Sequence, residues 1–76
     1  MDNNQIQELI WSHLDDVSDL SISGQDCNFS IKIVSKDFIN MSIIDRHKII
    51  MKLFTDLLQS GELHAISLDL KAPSEV

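Results

Sequence analysis

Residues 29–70 read FSIKIVSKDFINMSIIDRHKIIMKLFTDLLQSGELHAISLDL, and three successive patterns in this stretch decide the fold. Phe29, Ile31 and Ile33 alternate with Ser30 and Lys32, as in a strand with one covered face. Ser42 and Asp45, three residues apart, form the N-terminal capping pair of a long helix. That helix is expected to turn Ile43, Ile50, Met51, Phe54, Leu57 and Leu58 inward, with Ile49 and Leu53 widening the face. Gly61 ends it, because glycine accepts the left-handed backbone of a helix stop. His64, Ile66, Leu68 and Leu70 then alternate with Ala65, Ser67 and Asp69 as a second half-buried strand, which Pro73 halts. Strand, helix and strand in this order predict a right-handed crossover between two parallel strands.

Outward from this unit, Ile6, Leu9, Ile10 and Leu14 are spaced by three and four, predicting a helix over residues 4–14. Asp2, Asn3 or Asn4 can cap its start. Trp11 beside Ile10 is read as a packed edge of the core in preference to a ligand platform, and Asp15 and Asp16 stop the pattern. Leu20 and Ile22 make a further strand. Gly24-Gln25-Asp26-Cys27 is read as the polar, exposed loop of a hairpin, and Ser35 to Met41 as a connection. The expected architecture is α+β, in the order α-β-β-α-β, with a three-stranded mixed sheet. Each strand offers one apolar face, so both helices should pack on the same side.

The 76 residues form one domain, residues 1–76, because a chain this short buries little more than about 60% of its unfolded surface and holds a single core. Apolar residues make up 43% and charged residues 24%, the balance of a folding globular chain. Twelve acidic residues against six Lys and Arg give a formal charge of −6, which repels nucleic-acid phosphates and anionic membranes. One cysteine cannot close an internal disulfide, so a reducing, cytoplasmic setting is expected. There is no long apolar run and no signal-type N-terminus, so no membrane partner is expected.

Val34-Ser35, Phe38, Asn40-Met41-Ser42, Arg46-His47, His64-Ala65-Ile66-Ser67 and Ala72-Pro73-Ser74-Glu75 together resemble the BolA-like family. Its pattern runs V-S, F-x-G-x-S, R-H, I-H-A-L-S and T-P-x-E. The resemblance covers Cys27 to the C-terminus, and the opening Asp2 to Gln7 resembles the YrbA (IbaG) branch. It implies a type II KH-like fold, in agreement with the element order. It also implies a non-catalytic partner of monothiol glutaredoxins that joins in ligating a two-iron, two-sulfur (2Fe-2S) cluster, in iron homeostasis or cluster delivery. Some members are described as stress-response or transcription regulators. Three departures stand out. Asn40 replaces the glycine of F-x-G, at a turn that Asn also accepts. Asn28 occupies the position where many members place a histidine, with the thiol Cys27 one residue earlier. The chain ends at Val76, where the family commonly continues into a helix or basic tail.

In light of this resemblance, His64 and Cys27 are the candidate metal ligands, since an imidazole nitrogen and a thiolate both suit the iron of such a cluster. The bare pattern also fits His64 as a partly covered strand-end residue and Cys27 as an incidental exposed thiol. One imidazole and one thiol cannot hold a cluster unaided. No cluster is therefore expected on the isolated chain, and glutaredoxin and glutathione must supply the rest. Alone, the chain is expected to be a monomer or a weak homodimer.

Arg46, His47, Lys48 and Lys52 are the one basic run. It suits an acidic partner surface or a nucleic-acid phosphate, or is simply a solvated helix face, with His47 packing or capping locally. The alternative function is a KH-like nucleic-acid regulator using this run, against which stand the net charge and the lack of a G-x-x-G loop. No catalytic residues are assigned. There is no C-x-x-C or H-E-x-x-H, and with only Gly24 and Gly61 no glycine-rich phosphate loop can form.

Overall fold

In the computed structural model, which describes residues 3–25, 28–61 and 65–76, α1 (Asn3–His13) leads into β1 (Val17–Gln25) and β2 (Asn28–Ser35). After a short 3-10 turn at Lys36–Phe38 come α2 (Ile43–Ser60), β3 (Ala65–Lys71) and a last 3-10 turn at Pro73–Glu75. The strands lie in the order β1-β2-β3. β1 and β2 are antiparallel, and β2 and β3 are parallel, so the sheet is mixed as the crossover requires.

Strand alternation builds the core. Leu20, Ile22, Phe29, Ile31, Ile33, Ile66, Leu68 and Leu70 share one face of the sheet. They meet Ile6 and Ile10 of α1 and Ile50 and Phe54 of α2 in a single cluster. Both helices therefore cover the same face. The other face carries Ser21, Ser23, Ser30, Lys32, Ser67 and Asp69, all exposed.

The stops are where the sequence puts them. Ser42 caps α2, its hydroxyl accepting from the Asp45 N–H at 3.1 Å, and Gly61 ends the helix at φ +83°. Asn40 has φ +65°, so the glycine replacement sits at a true left-handed position.

Five expectations change. The hairpin is tighter than a Gly24-to-Cys27 loop, because Gly24 and Gln25 still pair, with Phe29 and Asn28. Gly24 has φ +114° and a backbone so close to Asn28 and Phe29 that a Cβ would collide with both. The segment from Ser35 to Met41 is more than a connection: Phe38, at its centre, is fully buried. Ser35 is also fully buried. Its hydroxyl accepts from the Asp37 N–H at 3.1 Å and donates to Asp37 Oδ2 at 2.5 Å. That carboxylate also accepts from the Asp16 N–H at 3.0 Å, tying the end of β2 to the turn after α1. The Ser35 hydroxyl holds the Asp37 carboxyl below its ordinary pKa.

Trp11 is not a packed edge but 58% exposed, because Ile6, Ile10 and Leu14 already fill the inward stripe of α1. Ile43 is 68% exposed. It stands in the first turn of α2, beside β3, lining a groove with Met41, His47 and Leu68. Ile49 is exposed as well. The inward stripe of α2 runs instead through Arg46, Ile50 and Phe54, four residues apart.

Candidate functional site

Two kinds of candidate residue have to be located: the metal-ligand pair and the basic run. Cys27 and His64 both lie outside the described residues. Their neighbours in the chain are described. Asn28 opens β2 and Ala65 opens β3, and the two are register partners in the parallel ladder. Both are exposed, at the end of the sheet where β1 and β2 meet in the hairpin. Among the described residues no group of three or more His, Cys, Asp or Glu could hold a metal ion.

The basic run does not form one surface. Lys48 and Lys52 are exposed, but Arg46 is buried, with only 5% of its surface accessible. Its guanidinium makes a two-point contact with Glu75, Nη1 to Oε1 at 2.6 Å and Nη2 to Oε2 at 2.8 Å, and Nη1 also donates to the Leu70 carbonyl at 3.2 Å. The guanidinium carbon lies 5.9 Å from the centre of the Phe38 ring. The expectation that Arg46 joins Lys48 and Lys52 in an outward-facing cluster is therefore corrected. Helix periodicity turns residue 46 onto the stripe of Ile50 and Phe54, and Glu75 neutralises it there.

Glu75 completes the arrangement by also accepting from the Ala72 N–H at 2.9 Å. Chiefly through the hydrogen bonds from Arg46, its pKa falls from 4.5 to about 2. Arg46 is correspondingly held above its ordinary value by the same contact.

His47 makes a local contact within α2. Its Nδ1 lies 3.0 Å from the Ile43 carbonyl. A carbonyl can only accept, so Nδ1 carries the proton and Nε2 keeps its lone pair when the ring is neutral. His13 does the same at the end of α1, its Nδ1 donating to the Leu9 carbonyl at 3.0 Å.

Sequence reasoning did not assign Glu75 a role, although the signal was available. The R-H and P-x-E elements are separated by 25 residues of helix, turn and strand, and an arginine and a glutamate in two such motifs are natural partners for a forked contact. The geometry thus explains much of the quoted pattern as architecture: Ser35, Phe38, Asn40, Ser42, Arg46 and Glu75 each cap, fill, turn or lock the fold.

Comparison with known proteins gives the same grouping. The family model described as BolA-like protein matches residues 8–75. The solved structure of BolA1 from Arabidopsis thaliana superposes with a TM-score of 0.86 at 30% identity, covering 100% of this chain and 99% of that one. The BolA domain of SufE1 from the same plant gives 0.84 at 31% identity, with coverage of 100% and 99%. A BolA-like protein of Dictyostelium discoideum is 26% identical over 81 residues, 95% of this chain and 71% of the relative. The chain spans only 43% of the full chloroplastic BOLA1 protein and 20% of the full SufE-like protein 1. These relatives are eukaryotic, and the YrbA branch does not follow from them.

Proposed function

This chain belongs to the BolA-like family, and on that premise we propose that it is a non-catalytic partner protein that docks a monothiol glutaredoxin and shares a 2Fe-2S cluster with it. The observation that carries the reading is the parallel register of Asn28 with Ala65. Adjacent strands lie about 4.8 Å apart. Cys27 and His64 each stand one peptide step, about 3.8 Å between Cα atoms, from one of those partners. The sheet therefore brings the chain neighbours of both candidate ligands to the same end of two adjacent strands.

The donor set fits a shared group rather than a resident one. Imidazole and thiolate are both established ligands for such irons, but two donors leave half of the ligand positions open. A glutaredoxin thiolate and glutathione fill the remainder, so the cluster belongs to the complex. A reducing compartment such as the cytoplasm keeps Cys27 available as a thiol.

The test is to reconstitute the complex with a monothiol glutaredoxin, glutathione, iron and sulfide without oxygen, and to record visible absorption and circular dichroism. His64→Ala is expected to alter the visible dichroism and weaken the complex, and Cys27→Ser to alter it independently. Spectra of His64→Ala identical to wild type would remove the histidine from the ligand set. A mixture that never acquires cluster absorption would overturn the reading as a whole.

A further inference from the structure

Trp11 is the chain's one tryptophan, and more than half of it faces solvent. Trp11 lines two shallow hollows of about 280 and 250 Å³, one with Leu14, Asp15 and Val17 and the other with Asn4, Gln7 and Glu8. Each hollow that the ring lines thus also holds one carboxylate, Asp15 or Glu8. Neither carboxylate is in an ion pair among the described residues, whereas neighbouring Asp16 lies 3.9 Å from Lys36. The whole chain carries −6, so the potential at this surface draws in cations.

We infer that the Trp11 surface is a docking site for a basic segment of a partner protein, with an arginine or lysine side chain stacked on the indole between Glu8 and Asp15. A tryptophan face is the best aromatic platform for a cation, and tryptophan and arginine are the residues that most often dominate binding at interfaces. The two carboxylates give the cation a countercharge in each hollow beside the ring, which an apolar partner would bury without compensation. A second copy of the chain suits the surface poorly. In a two-fold contact the patch meets itself, and Glu8 and Asp15 would face carboxylates.

The site is independent of the proposed cluster. Trp11 shares its hollow with Val17, and Val17 pairs with Ser35 at the opposite end of the sheet from Asn28 and Ala65. The strand between spans about 25 Å, so both surfaces can be occupied at once.

Because Trp11 is alone, its emission reports this site directly. The probe is a blocked hexa-arginine peptide titrated into the full chain, with a hexa-glutamate peptide as control. The arginine peptide should change the emission saturably and the glutamate peptide should not. Glu8→Gln/Asp15→Asn should weaken binding about fivefold or more. Trp11→Ala, followed by calorimetry, should weaken it by a similar factor, and Trp11→Phe by less, both with unchanged far-ultraviolet dichroism. An unchanged emission overturns the inference. So does an equal loss of affinity in Asp56→Asn/Asp69→Asn, which would mean diffuse attraction to the net charge. An emission change on diluting the protein alone would assign the surface to a second copy instead.

Discussion

Arg46 and Glu75, 29 residues apart in the chain, are joined by two parallel hydrogen bonds that fasten the turn at Pro73–Glu75 to the first turns of α2. The arginine is buried and the glutamate half-exposed, so the contact works asymmetrically. Glu75 can be hydrated if released, but Arg46 cannot without opening the core around Phe38.

The first prediction follows from that asymmetry. Glu75→Gln leaves a buried guanidinium without its countercharge and should lower the thermal midpoint by several degrees. Arg46→Met/Glu75→Gln, which removes the charge from the interior as well, should be less damaging than Glu75→Gln alone, because an unpaired buried charge costs more than the pair contributes. Melting followed by circular dichroism checks both. A double variant less stable than the single one would show that the guanidinium is held mainly by Leu70 and Phe38.

Stability in acid should carry the signature of the same pair. The folded pKa of Glu75, about 2, lies below its ordinary value of 4.5, so the unfolded chain takes up the proton first. Its contribution is complete above the ordinary value, shrinks as pH falls from 4.5 towards 2, and is gone below that. Urea midpoints measured across this range should fall less steeply for Glu75→Gln than for wild type. Asp37, also held below its ordinary value, contributes to both curves and drops out of the difference.

At residue 40 the positive φ sets the expectation. Asn40→Val should cost about 1–2 kcal/mol, since a branched side chain meets the following carbonyl in the left-handed region. Asn40→Gly should stay within about 0.5 kcal/mol of wild type, relief of backbone strain being offset by greater freedom of the unfolded chain. Urea unfolding of the three proteins decides it.

Gly24 should tolerate less. An added methyl would press on the Asn28 carbonyl oxygen and lie 2.9 Å from the Phe29 Cα, both backbone atoms that can move only if the ladder opens. Gly24→Ala should therefore loosen the hairpin end of the sheet, seen as faster amide exchange at Phe29 and Asn28 while α2 stays protected. Equal protection throughout the wild-type and variant proteins would mean that the backbone absorbs the methyl elsewhere.

The sequence by itself determined the elements and their order, which rest on local periodicity: alternation in β2 and β3 and a capped run from Ser42 to Gly61. It also pointed to parallel pairing, through a helical crossover long enough to carry the chain back across the sheet. It also carried the family, through short motifs in a fixed order. Which residues turn inward at the edges of those elements was decided by tertiary structure. Trp11 and Ile43 are as apolar as their neighbours, yet they stand outside because Ile6, Ile10 and Leu14 or Arg46, Ile50 and Phe54 had already filled the space over the sheet. Arg46 went inside because Glu75, remote in the chain, meets it there, and no window of local sequence contains both. Charge in a protein interior is settled by partners brought together only when the fold closes, so the motifs offered the two residues and the folded chain joined them.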